Sequence, residues 1–346
     1  MRRIIGALGV IGMTAAGTAS GQQGPPPLPR PVTNNAVAGG RINGRFVAFS
    51  VLGVDSTKRW SGMTTQGYQW MEGEADWKPL PAVPGAEGRL AATAQVVRSK
   101  LYLFGGYTVN AAAAERSAPA VDIFDPLTAQ WTAGAPIPVP VDDATSGVYR
   151  DSLIYLVSGW HDTGNVSEVQ IYDVVTNRWR AGTPFPGTAV FGHSGSLAGQ
   201  SIVVIDGAKK IPGPTRYALE PQSWLGTIDA ADPTRIRWER LAAHPGPPLY
   251  RAASGPCGSR RIAFAGGTSN PYNYSGVGYD GKPSEPATGT MTFDLATKAW
   301  ATGPAISRTM DHRGLLVRGP VGWVVGGMRP SQQVAGSSEP YPFPGC

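Results

Sequence analysis

The chain has little cysteine, little histidine and no concentrated charge. Two cysteines and four histidines in 346 residues are too few to build a zinc site here, because the thiols stand alone and the histidines lie far from them in sequence. Lysine and arginine are dispersed, with Lys209-Lys210 and Arg260-Arg261 as isolated doublets. A nucleic-acid surface needs a dense basic stripe, so the formal charge of +6 implies no nucleic-acid partner. After the first residues no apolar run is long enough to span a bilayer. No metal and no cofactor is expected.

The start of the chain is the exception in hydropathy. Arg2-Arg3 precedes an apolar stretch from Ile4 to Ala16, and Gly17-Thr18-Ala19 follows as a small-residue cleavage site. This pattern is that of a secretory signal. We therefore expect residues 1–19 to be a removed leader and residues 20–346 to be one exported domain, periplasmic or extracellular and monomeric. No cysteine follows the leader to carry a lipid. In an oxidising compartment the pair Cys257 and Cys346 is expected to form one disulfide, with two free thiols as the alternative.

What the chain does have is repetition. Ile123-Phe124-Asp125-Pro126-Leu127-Thr128-Ala129-Gln130-Trp131 returns as Ile171 to Trp179 and as Thr292 to Trp300, each reading aromatic-Asp-x-x-Thr-x-x-Trp. A short apolar strand ending at glycine precedes each copy, closing at Gly105-Gly106, Ser158-Gly159 and Gly266-Gly267. Three further strands of the same kind end at Gly53, Gly207 and Gly327. A period of roughly 50 residues made only of short strands is the signature of a β-propeller. Six such strands imply an all-β, six-bladed propeller with four antiparallel strands, a to d, in each blade. The repeated Asp bonds its own turn, and the repeated Trp covers the seam between blades. In blade four, strands c and d are expected near Tyr217–Leu219 and Trp238–Leu241. Blade six runs short of chain. Its third strand is expected near Gln333-Val334, and its outer strand from the N-terminal segment Pro27–Val32, so that both chain ends close the ring.

The double-glycine strand end, the aromatic-Asp-x-x-Thr-x-x-Trp spacing and the repeat length resemble the kelch-repeat propellers, over about residues 28 to 330. Among these, an exported six-bladed single domain looks most like the bacterial sialic-acid mutarotases. In that group an acidic residue follows the glycine of a middle blade. Here the matching stretch is Asp206-Gly207-Ala208-Lys209-Lys210 and lacks it. The copper oxidases of the galactose-oxidase family are a poorer match, since they are seven-bladed and need a tyrosine–cysteine crosslink. The Ser-x-Asp-x-Gly-x-x-Trp boxes of sialidases are absent.

Long b–c loops gather on one face, at 107–119, 160–167, 208–215 and 268–289, and the opposite turns are short. Elaborate loops on one face mark that face as the functional one. Trp160, His161, Tyr272, Tyr274, Tyr279 and Arg313 are the candidate ligand-binding residues there. His193, Arg251, Asp311, His312 and Arg89 begin inner strands and are the candidate catalytic set, the arginines to hold a carboxylate and a histidine or Asp311 to move a proton. The first expectation is a module that binds a partner protein or glycan through the long-loop face. The alternatives are a sugar-acid mutarotase and a purely structural repeat protein.

Overall fold

The computed structural model describes residues 23–85 and 87–346; the expected leader lies outside them. Blade one comprises Ala36–Ile42, Arg45–Val51, Gly67–Met71 and Lys78–Pro79. Blade two comprises Thr93–Val97, Lys100–Phe104, Val121–Asp125 and Gln130–Ala133, and blade three Thr145–Tyr149, Leu153–Val157, Val169–Asp173 and Arg178–Ala181. Blade four holds Ser194–Ala198, Ser201–Ile205, Ser223–Ile228 and Ile236–Arg240, and blade five Ala253–Cys257, Arg261–Ala265, Thr290–Asp294 and Ala299–Thr302. Each is an antiparallel sheet of neighbouring strands. Blade six has three strands, Leu316–Arg318, Val321–Val325 and Ser338–Pro342. Among the described residues no helix is long and apolar enough to cross a membrane.

The repeated residues do what their chemistry suggests. Asp125, Asp173 and Asp294 each accept the backbone N–H two residues on, at 2.9, 2.9 and 3.0 Å. Trp131, Trp179 and Trp300 pack on Phe124, Tyr172 and Phe293 and donate their indole N–H to the preceding blade, at Pro81, Ala135 and Ala242. Each tryptophan thereby ties one blade to the one before it, through area and one directed bond.

The glycine ending each b strand has a further role. Gly53, Gly106, Gly159, Gly207, Gly267 and Gly327 donate to the carbonyls of Arg89, Val141, Val190, Leu249, Thr309 and Val32, each in the following blade. The last of these closes the circle onto the N-terminal segment. All six have left-handed φ, and a Cβ at Gly327 would lie 2.3 Å from His312 Cε1. Here, the glycine is required by both conformation and space.

Three expectations about strands are corrected. In blade four, strand c is Ser223–Ile228, while Tyr217–Leu219 pairs with Ala208–Lys210 as a hairpin within the loop. Six residues suited to a long strand lay downstream of the short aromatic one. In blade six the third strand is Ser338–Pro342, and Gln333-Val334 pairs with Met328-Arg329 instead. The segment Pro27–Val32 forms no outer strand among the described residues. It covers the seam, with Leu28 and Val32 buried beside Trp77 and Trp323, and bonds Gly336 and Ala335. It does supply what an outer strand's end supplies elsewhere, because Trp77 donates to Pro26 at 2.6 Å. Cys257 and Cys346 are joined in a disulfide, which fixes the C-terminal tail to the a–b turn of blade five.

Gly327→Ala should cost about 1–3 kcal/mol of stability, read as a shift in denaturant midpoint. Gly44→Ala, also at positive φ but with nothing within 4 Å of its Cβ, should cost clearly less. Equal effects would show that the contact with His312 is not what demands glycine.

Candidate functional site

The residues that open the inner strands lie at equivalent places around the axis. Asn34, Ala91, Asp143, Gly192, Arg251 and Asp311 all have left-handed φ, the bend that turns the chain from a blade's outer edge down into the channel. A chain of hydrogen bonds links them: Ala91 N to Asn34 Oδ1, Asp143 N to Ala91 O, Gly192 N to Asp143 O and Arg251 N to Gly192 O. His312 N then bonds Arg251 O at 3.2 Å.

Three of these positions carry charge and meet across the axis. Arg251 grips Asp143 with two bonds, Nε to Oδ1 at 3.1 Å and Nη2 to Oδ2 at 2.6 Å, and reaches Asp311 Oδ1 at 3.1 Å. Arg313 adds a bond to Asp143 at 2.6 Å and one to Asn34 at 3.0 Å. Thr33 donates to the other oxygen of Asp311 at 2.6 Å. Tyr250 and Tyr272 stack on the Arg251 guanidinium. Asp143, Arg251 and Asp311 are all buried. Burial alone would raise the Asp143 carboxyl, but Arg251 and Arg313 hold it below the usual carboxylate range. The adjacent Asp142 is pushed well up, by burial first and by the charge of Asp143 second.

This ion cluster closes the channel on the long-loop side. The blade-five loop lies over it: Asn273 O accepts from Arg251, and its side chain bonds Tyr107 OH and Glu115. Tyr272, Tyr250, Met310 and Met328 are packed beneath with no exposure. The space left is a cavity of about 400 Å³ along the axis, running from this floor to the a–b turns at Gly258 and Gly319. It therefore opens on the short-turn face, opposite the elaborate loops. Thr93, Gln95, Ser146, Ser196 and Ser254 girdle it with hydroxyl and amide groups, and Arg41 and Arg318 stand at its mouth.

The candidate residues divide accordingly. His193, Arg251, His312 and Arg313 line the cavity. Asp311 lies in the ion cluster behind them. Arg89 is apart, bonded to Asp122 in its own blade. His193 Nε2 lies 2.9 Å from the Val157 carbonyl and accepts the Thr145 N–H at 3.2 Å, so one ring nitrogen meets both an acceptor and a donor. Among the described residues its Nδ1 has no partner, nor have Arg313 Nε and Thr145 Oγ1, and all three atoms are buried. Burial pulls His193 down to about 4. His312 is likewise lowered, to about 3, with Nε2 bonded to Thr309. On the long-loop face Trp160, Tyr217 and Tyr279 form a half-buried aromatic cluster, with Tyr217 and Tyr279 4.3 Å apart. His161 bonds Pro140 O, Tyr274 packs against the Val54 and Leu90 cluster, and Tyr272 is wholly buried. Sequence reasoning missed Asp143 and Tyr217. Asp142-Asp143 precedes the blade-three inner strand as Arg251 precedes that of blade five, and that alignment was the available signal. Among the described residues no group of three His, Cys, Asp or Glu side chains is placed to hold a metal.

These features define a six-bladed β-propeller, and residues 88–138, which span blade two, match the Kelch motif. The fold as a whole is similar to the solved structure of YjhT, with a TM-score of 0.71 at 16% identity, over 91% of this chain and 95% of that one. No curated protein matches the sequence.

Arg251→Gln leaves Asp311 buried without its nearest counter-charge and Asp143 with Arg313 alone, and should lower stability by about 3–5 kcal/mol; an unchanged unfolding curve would show the cluster to be energetically idle. His193 should stay neutral by nitrogen NMR down to about pH 5, because its folded value is about 4. Protonation near 6.5 would contradict the buried geometry.

Proposed function

We propose that this chain is a sugar-acid isomerase that exchanges the anomers of a carboxylated sugar within its axial cavity. The observation that carries the reading is the axial cavity itself, lined by the neutral His193 with Arg313 and Thr145, whose Nδ1, Nε and Oγ1 are buried in its wall without a partner among the described residues. Ring opening needs the anomeric hydroxyl proton removed and the ring oxygen protonated. His193 takes the first proton and hands it on through a bridging water to the ring oxygen, and ring closure on the other face runs the same transfer backwards, so histidine and water are both regenerated. An anionic ligand raises the His193 pKa by its own charge, bringing a weak base closer to working range. The arginines at the mouth, of which Arg41 has no carboxylate in contact, favour a carboxylate; the hydroxyl girdle suits a polyol. Asp143 is held by two arginines and serves as their counter-charge. The sequence resemblance to sialic-acid mutarotases supports this reading. The disulfide, a feature of oxidising compartments, supports export.

A second reading keeps the long-loop face as a surface for a glycan or partner protein, and the half-buried Trp160, Tyr217 and Tyr279 favour it. NMR exchange measurements on freshly dissolved N-acetylneuraminic acid separate the two. The isomerase reading expects exchange well above buffer, and a loss of about 100-fold or more in His193→Gln with ligand affinity nearly kept. Exchange no faster than buffer sinks it. Loss of glycan-array binding in Trp160→Ala or Tyr217→Ala would instead support the surface reading.

A further inference from the structure

Blade four breaks the repeat at two positions that touch. The residue before the ring glycine is Leu52, Gly105, Ser158, Gly266 or Gly326 in the other blades; in blade four it is Asp206. Four residues past the end of strand d, the other four-stranded blades place Val83, Ile137, Phe185 and Ile306; blade four places His244. His244 Nε2 meets Asp206 Oδ2 at 2.6 Å, with both side chains buried. The same oxygen accepts Leu249 N–H at 2.8 Å, and His244 Nδ1 donates to Pro245 O.

The pair sits at the two ends of the connection to blade five, Pro245-Gly246-Pro247-Pro248-Leu249. Three prolines leave this stretch only two backbone donors, and Asp206 takes that of Leu249. Its outer side is not packed: a groove of about 540 Å³ separates it from Phe264, Met291 and Ala305, with Glu285 and Arg308 at the rim. The next residues are Tyr250 and Arg251, the lid and centre of the ion cluster.

We propose that Asp206 and His244 act as a proton-held latch on the 245–249 connection and through it position Tyr250 and Arg251 at the cavity floor. Among the described residues the two groups have only each other for charge: Asp206 otherwise meets the backbone of Leu249 and Gln222, and His244 the backbone of Pro245 and the Trp300 ring. Burial raises Asp206. For His244 burial acts downward, but the bond and charge of Asp206 outweigh it and the value is raised. Both folded values exceed the unfolded ones, so the native seam binds more protons, and its stability falls as pH rises. The contribution of His244 is full below about pH 6.5 and is lost through its raised folded value.

Amide exchange of Leu249, Tyr250 and Arg251, corrected for the intrinsic pH dependence, tests this without any sugar, so its outcome is separate from that of the isomerase reading. In the wild type these amides should lose protection by about tenfold as the pH passes upward through the His244 titration, while those of Phe264 do not. The double variant Asp206→Gly/His244→Ile restores what blades two and five carry and should show no such step. A wild type without the step, or a step that survives in the double variant, overturns the latch. Should the double variant not fold, the His244 ring titration by NMR decides: a midpoint below 6.5, or one that does not coincide with the step, refutes the proposal.

Discussion

The bidentate bond between Arg251 and Asp143 is the contact on which the interior depends. It spans the axis from blade five to blade three and recruits Asp311 and Arg313 of blade six, with Asn34 of blade one. Buried charges are costly unless every lone pair and proton is met. Here the guanidinium of Arg251 is satisfied by two carboxylates and a carbonyl and covered by two tyrosine faces. The cost of desolvation is thus offset by a geometry that only a closed ring of blades can supply, because the partners are far apart in sequence and meet only at the axis.

The same contact gives the molecule its polarity. With the long-loop end sealed, the only route into the axial cavity among the described residues runs past the short turns. Long loops in this protein serve as packing for the seal: the blade-five loop spends Tyr272 and Asn273 on Arg251. Elaboration of a loop and access to solvent are separate properties, and here they lie on opposite faces.

Much of the ring was legible because its rules are local. A glycine at the end of strand b, an aspartate in the c–d turn and a tryptophan beyond it are each demanded by nearby backbone geometry, and they recur visibly. The disulfide was legible from the even cysteine count. Ring closure was harder. Ser338–Pro342 carries prolines that argue against a strand, yet pairs because Glu339 and Tyr341 supply its inward donors. The site was half legible: His193, Arg251 and Arg313 could be placed at the channel from their position before inner strands, but which end of the channel is open depends on long-range packing of Tyr272 over Arg251. No local pattern encodes that.

Among the described residues the three-stranded blade leaves one strand edge without a partner, and its composition decides what that edge can do. Ser337 O and Phe343 N bond inward, so alternation turns Ser338, Pro340 and Pro342 outward. Of these only Ser338 has an N–H. The edge therefore offers carbonyls in a row with almost no donors between them, and a strand from another molecule could satisfy only half of its own backbone by docking there. A propeller left one strand short is in this way protected from joining its neighbours into fibres, and two prolines do the work that a fourth strand does in the other five blades.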